Sequence, residues 1–159
     1  MPVRILIADD HEVVRQGIRT ILAARPDWEI CGEAVNGQEA VKLASELQPD
    51  AIIMDITMPV MSGLEAARQL TKNKSSAPIL IFTMHESRSL ADSVQETGAR
   101  GFVFKSRAAR DLIQALEILL QGGSYFGPDG DKAPPAKDNP KRGISFLRAL
   151  DFARSLVLT

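Results

Sequence analysis

The chain has 159 residues, 45% of them hydrophobic and 25% charged, with aromatics at only 5%, the profile of a soluble globular protein of about one domain. Nineteen basic against twenty acidic side chains leave a net charge of −1, so the total lacks the positive footprint of a nucleic-acid binder. One cysteine, Cys31, excludes an internal disulfide, and with no Cys/His zinc cluster it points to a reducing compartment, the cytoplasm.

From the N-terminus, the apolar run Ile5 to Ala8 is too short for a signal peptide, and Asp9-Asp10 ends it. Residues 3–8 form the first of five β-rich runs, followed by 28–34, 51–54, 78–82 and 101–104. The first, third and fourth are apolar nearly throughout, as strands of a parallel sheet covered on both faces should be. The second alternates, which suits an edge, with Trp28 as edge or core packing and Cys31 as a buried strand residue. Between the runs lie helical spacings: Val14, Gly17, Ile18, Ile21 and Leu22; Ala40, Val41, Ala44 and Leu47; Leu64, Ala67 and Leu70; Leu90 and Val94; and Leu112, Ile113, Leu116, Leu119 and Leu120. Asn36-Gly37, Pro49-Asp50, Ser62, Gly98 and Gly122-Gly123 fall where turns, caps and stops are needed. The five methionines read as edge and core packing. No segment reaches the ~20 apolar residues of a transmembrane helix, so no membrane partner is expected.

Five strand–helix repeats predict an α/β fold, a doubly wound five-stranded parallel sheet with helices on both faces. Residues 1–127 would form that domain. Residues 128–143, rich in Pro, Gly and charge, read as a linker, and 144–159 as an amphipathic helix or an unstructured tail. The first part holds 13 basic and 16 acidic residues, the remainder 6 and 4, so the two are chemically distinct. At this size one core forms without a structural metal, and any bound metal is functional.

In such sheets ligands bind beyond the carboxyl ends of the strands. Four of the five strands end in chemistry: Asp9-Asp10, Asp55, Thr83 and Lys105. Three carboxylates gathered there repel one another unless a hard divalent cation joins them, and Mg²⁺ suits one or two carboxylates with a phosphate oxygen. Asp55 can then attack a phosphoryl group whose charge the metal and Lys105 neutralise, with Thr83 as hydroxyl donor. Acids at strand ends are also ordinary turn residues, but four matching placements by accident are improbable.

The motifs Ile5-Leu-Ile-Ala-Asp-Asp-His11, Met54-Asp-Ile-Thr-Met-Pro59 with Gly63, the run ending in Thr83, and Gly98-Ala-Arg-Gly-Phe-Val-Phe-Lys105 resemble the receiver domain of bacterial two-component response regulators, over residues 3 to 123. The resemblance implies the flavodoxin-like strand order 2-1-3-4-5. It implies that a sensor histidine kinase phosphorylates Asp55, with Mg²⁺ (or Mn²⁺ in its place) held by Asp9, Asp10, Asp55 and the backbone carbonyl of Thr57. It further implies that Thr83 and Phe102 act as a switch pair. The switch would alter the surface of the fourth helix, fifth strand and fifth helix for homodimerisation or partner binding. Thr57 and His85, each two residues past a site residue, would tune dephosphorylation. Ser106 stands where many receivers have a proline after a cis bond, which a non-proline makes costly. With Asp10-His11-Glu12-Val13-Val14-Arg15-Gln16-Gly17 this resembles the NarL/FixJ branch. His11 and His85 could be phosphocarriers or metal ligands, but single histidines on loops beside a carboxylate site read more readily as modulators or plain surface residues.

The expected role is therefore a phosphoacceptor switch of a His-to-Asp phosphorelay, not an enzyme beyond slow hydrolysis of its own aspartyl phosphate. One alternative is a NarL/FixJ-type DNA-binding transcriptional regulator with a truncated or altered effector region. Residues 128–159 supply one candidate helix, which argues against direct DNA binding by this chain. A haloacid-dehalogenase-type phosphatase is weaker, because its second aspartate position is here Thr57.

Overall fold

The structure is a computed structural model and describes residues 1–84, 87 and 89–127. The expected linker 128–143 and tail 144–159 lie outside the described residues, as does His85. The elements in chain order are β1 (Val3–Ala8), α1 (Glu12–Leu22), β2 (Trp28–Ala34), α2 (Gly37–Leu47), β3 (Ala51–Asp55), α3 (Gly63–Lys72), β4 (Ile79–Thr83), α4 (Leu90–Glu96), β5 (Gly101–Phe104), a 3₁₀ turn (Lys105–Arg107), α5 (Ala108–Leu120) and β6 (Tyr125–Phe126).

The sheet is wholly parallel in the order β2-β1-β3-β4-β5-β6. Alternation along each strand sorts side chains into two cores. Ile5, Ile7, Ile53, Leu80 and Phe82 face Ile18 and Leu22 of α1 and Leu112, Leu116 and Leu119 of α5. Leu6, Ile52, Met54 and Ile81 face Ala40 and Ala44 of α2, Ala66 and Leu70 of α3, and Val94 of α4. Helices therefore cover both faces, and the expected order 2-1-3-4-5 is present. A sixth, two-residue strand that the sequence reading did not include adds to the β5 edge.

Local chemistry sets the helix starts. Asn36 caps α2 by accepting the Glu39 N–H at 2.8 Å, and Ser62 caps α3 by accepting that of Glu65 at 3.2 Å. Gly63 is needed for close approach, since a Cβ there would lie 1.8 Å from the carbonyl oxygen of Asp55. That contact seats the start of α3 against the end of β3.

Some packing differs from expectation. Gly17 is exposed, so the buried stripe of α1 is narrower than its spacing suggests. Cys31 is half-buried on the edge strand β2, where burial still pushes its thiol up. Met54 and Met58 are core residues, but Met1 and Met84 are exposed. Trp28 is buried, with the Arg25 guanidinium 4.5 Å from its ring centroid.

Candidate functional site

The strand order decides which termini meet. Asp9 follows β1, Asp55 closes β3, Thr83 closes β4 and Lys105 follows β5, so adjacent strands deliver four of the expected residues to one end of the sheet. Asp9, Asp55 and Thr83 are all buried, and burial is unusual for the two acids unless they are paired.

Lys105 provides the pairing. Its stem crosses β4, with Nζ 5.8 Å from the Phe82 ring centroid, and Nζ lies 2.8 Å from Asp9 Oδ2 and 3.3 Å from Asp55 Oδ1. One ammonium thus bridges two carboxylates from different strands. Even so, burial and then the neighbouring Asp9 carboxylate push the Asp55 carboxyl above its ordinary range, against the pull of Lys105. The site holds more negative charge than the lysine alone balances.

Ligating atoms of Asp9, Asp10, His11 and Asp55 all lie within 4.8 Å of one another. Three carboxylates in that space can hold a divalent metal ion. His11 joins them: its N–H donates to Asp9 Oδ1 at 2.9 Å, and its Nδ1 lies 3.2 Å from both Asp9 and Asp10. Of the roles open to His11, its place in this cluster fits a metal ligand or a modulator of the site rather than a plain surface residue.

Thr57 is exposed in the loop after β3. Phe102 is buried, its ring between those of Phe104 and Phe126 at centroid distances of 5.4 and 6.1 Å. Among the described residues no peptide is cis, so the Lys105–Ser106 bond, which lies within the 3₁₀ turn, is trans.

Geometry of this kind defines a class, and the comparisons agree. The family model described as the response regulator receiver domain matches residues 5–117. The chain belongs to that family, on its NarL/FixJ branch, and so to two-component signalling proteins rather than to haloacid-dehalogenase-type phosphatases. It is 37% identical to the transcriptional regulatory protein DegU of Brevibacillus brevis over 126 residues, covering 79% of this chain and 53% of that one. It is 38% identical to the transcriptional regulatory protein LiaR of Bacillus subtilis over 157 residues, covering 91% and 74%. Among solved structures, a two-component response regulator of the LuxR family from Aurantimonas sp. SI85-9A1 matches with 39% identity and TM-score 0.77, covering 83% of this chain and 94% of that one. The receiver domain of the putative response regulator NarL from Mycobacterium tuberculosis matches with 26% identity and TM-score 0.73, covering 76% and 98%. The chain spans 53% of DegU and 59% of YdfI, a transcriptional regulatory protein of Bacillus subtilis. Among the described residues no helix is long and apolar enough to cross a membrane.

Proposed function

We propose that this receiver accepts a phosphoryl group on Asp55, with Asp9, Asp10, Asp55 and the Thr57 carbonyl holding Mg²⁺, or Mn²⁺ in its place. The observation that carries this is the grip of Lys105 on both Asp9 and Asp55, beside an acid cluster with more charge than one lysine neutralises. A carboxylate oxygen of Asp55 attacks the phosphorus of a phosphohistidine. The O–P bond forms, the P–N bond breaks, and the departing imidazole nitrogen takes a proton from solvent. Lys105 shifts from the Asp55 carboxylate to the new phosphoryl oxygens, and the Thr83 hydroxyl donates to another. The metal supplies charge neutralisation among these oxygens. Water later hydrolyses the acyl phosphate, at a rate that Thr57 and His85 tune.

The donor is a sensor histidine kinase. Supporting a protein donor, four of the five large apolar side chains exposed among the described residues stand near strand ends: Val13, Val35, Val60 and Met84. Phosphorylation draws Thr83 toward the phosphoryl group and repacks Phe102, changing the surface of α4, β5 and α5 for homodimerisation or partner binding. β6 lies along β5, so the half-buried Phe126, packed on Phe102, borders that surface. Residues 1–127 are the switch module. A second reading is favoured by the names of DegU and LiaR as transcriptional regulatory proteins: the receiver serves transcription regulation of the NarL/FixJ type.

Incubation with acetyl phosphate and Mg²⁺, followed by intact-mass measurement, tests the proposal. The wild type gains one phosphoryl group and Asp55→Asn gains none; equal labelling of both removes Asp55 from the role.

A further inference from the structure

Asp9 is held at each of its polar groups. Its N–H donates to the Ala34 carbonyl at 3.0 Å, Oδ1 accepts from the His11 N–H at 2.9 Å, and Oδ2 accepts from Lys105 at 2.8 Å. The remaining group, its backbone carbonyl, accepts from Nη1 of Arg15 at 2.7 Å. That carbonyl belongs to the rigid peptide plane that carries the N–H and Cα of Asp10. Asp10 needs such support. Its carboxylate is 30% exposed and, among the described residues, is paired with the His11 ring alone, at 3.2 Å.

Arg15 is itself fixed. Its side chain is 11% exposed, Nε donates to Glu33 Oε1 at 3.0 Å, and Nη2 pairs with Glu12. One planar guanidinium thus ties the Asp9-Asp10 peptide to β2 through Glu33 and to the first turn of α1 through Glu12, a geometry that a lysine's single point of charge does not reproduce. Arg19 shares Glu12 and Glu33 but is not bonded to Asp9.

We propose that Arg15 is a positioning residue that sets the Asp9-Asp10 peptide, and through it the Asp10 carboxylate, for binding the divalent cation; the inference rests on the phosphoacceptor reading. Its sign separates it from a simple field effect. Removing a cation beside an acidic cluster strengthens the attraction for a dication, whereas loss of positioning weakens binding. Outer-sphere partners of metal ligands commonly contribute about 10-fold or more to affinity.

The test is calorimetric titration of Mg²⁺ into the metal-free full chain, with no phosphodonor present, for wild type, Arg15→Met, Arg15→Lys and Arg19→Met. Thermal unfolding is recorded for each. Arg15→Met is expected to bind Mg²⁺ about 10-fold more weakly, Arg15→Lys to fall between it and wild type, and Arg19→Met to stay close to wild type. Should Arg15→Met not unfold cooperatively, Arg15→Lys decides, and unchanged affinity in it overturns the inference. Unchanged or tighter binding in a folded Arg15→Met also overturns it, as does an equal loss in Arg19→Met. A wild type that is phosphorylated while these variants keep its Mg²⁺ affinity overturns the inference alone. A wild type that binds no Mg²⁺ overturns the phosphoacceptor reading with it.

Discussion

Asp55 is buried among like charges, so its ionised form is disfavoured in the fold even with Lys105 at 3.3 Å. A carboxyl raised by folding stabilises the native state below its unfolded range, and that contribution is lost as pH rises through the folded value. Metal-free protein at neutral pH therefore carries an ionised, buried Asp55 at a cost. Asp55→Asn in EDTA should melt above wild type at neutral pH, and the gap should close as pH falls to about 4, the ordinary range of the group. A wild type that melts at or above the variant at neutral pH contradicts this. Asp9, Asp55, Thr83 and Lys105 could be picked out in the sequence because each interrupts or follows an apolar strand. His11 could not be placed in the same way: its contact with both acids depends on the turn between β1 and α1. The role of Arg15 is hidden further, since its partners Asp9 and Glu33 come from two strands.

The elements were legible where the period is long. Strands β1, β2 and β5 fall where the apolar runs predict, β3 extends one residue to include Asp55, and β4 shifts by one to end on Thr83. β6 was not legible, because two residues, Tyr125 and Phe126, carry no alternation to read. It is nonetheless built in. The Tyr125 N–H donates to the Arg100 carbonyl at 2.9 Å, and burial together with Asp111 holds its phenol above the usual range. Phe126 packs on Phe102. Gly101 makes room, for a Cβ there would lie 1.9 Å from the Tyr125 carbonyl oxygen. Gly101→Ala should displace β6, abolish hydrogen-exchange protection of the Tyr125 amide and cost about 1–3 kcal/mol, the range for overpacking. Retained protection at wild-type stability contradicts the tight seating of β6.

Over the whole molecule, alternating strands and helices established the class of fold, while the strand order came from family resemblance, since right-handed crossovers alone allow several orders. The order matters because it puts β3 between β1 and β4 and so places Asp55 at the centre. The exposed Val13, Val35, Val60 and Met84 each follow the carboxyl end of a strand in the chain, and on the proposed reading they rim the site. Val60 also holds a φ of 69°, a left-handed conformation that a β-branched residue adopts at a cost. If the rim receives a protein donor, Val13→Asp and Val60→Asp should each slow phosphorylation by a histidine kinase about 10-fold, as loss of an interface anchor does, while leaving the rate with acetyl phosphate unchanged. Equal slowing with both donors would place the defect in the site itself.

On the proposed reading, the acid cluster directs a phosphoryl group to one carboxylate, Asp55. Borohydride reduces an aspartyl phosphate to homoserine, so phosphorylation with acetyl phosphate, reduction and peptide mass spectrometry will locate the acceptor directly. With Mg²⁺ present, homoserine is expected at residue 55 and nowhere else, and in EDTA the signal should vanish. Homoserine at residue 9 or 10, or undiminished labelling in EDTA, would contradict the account.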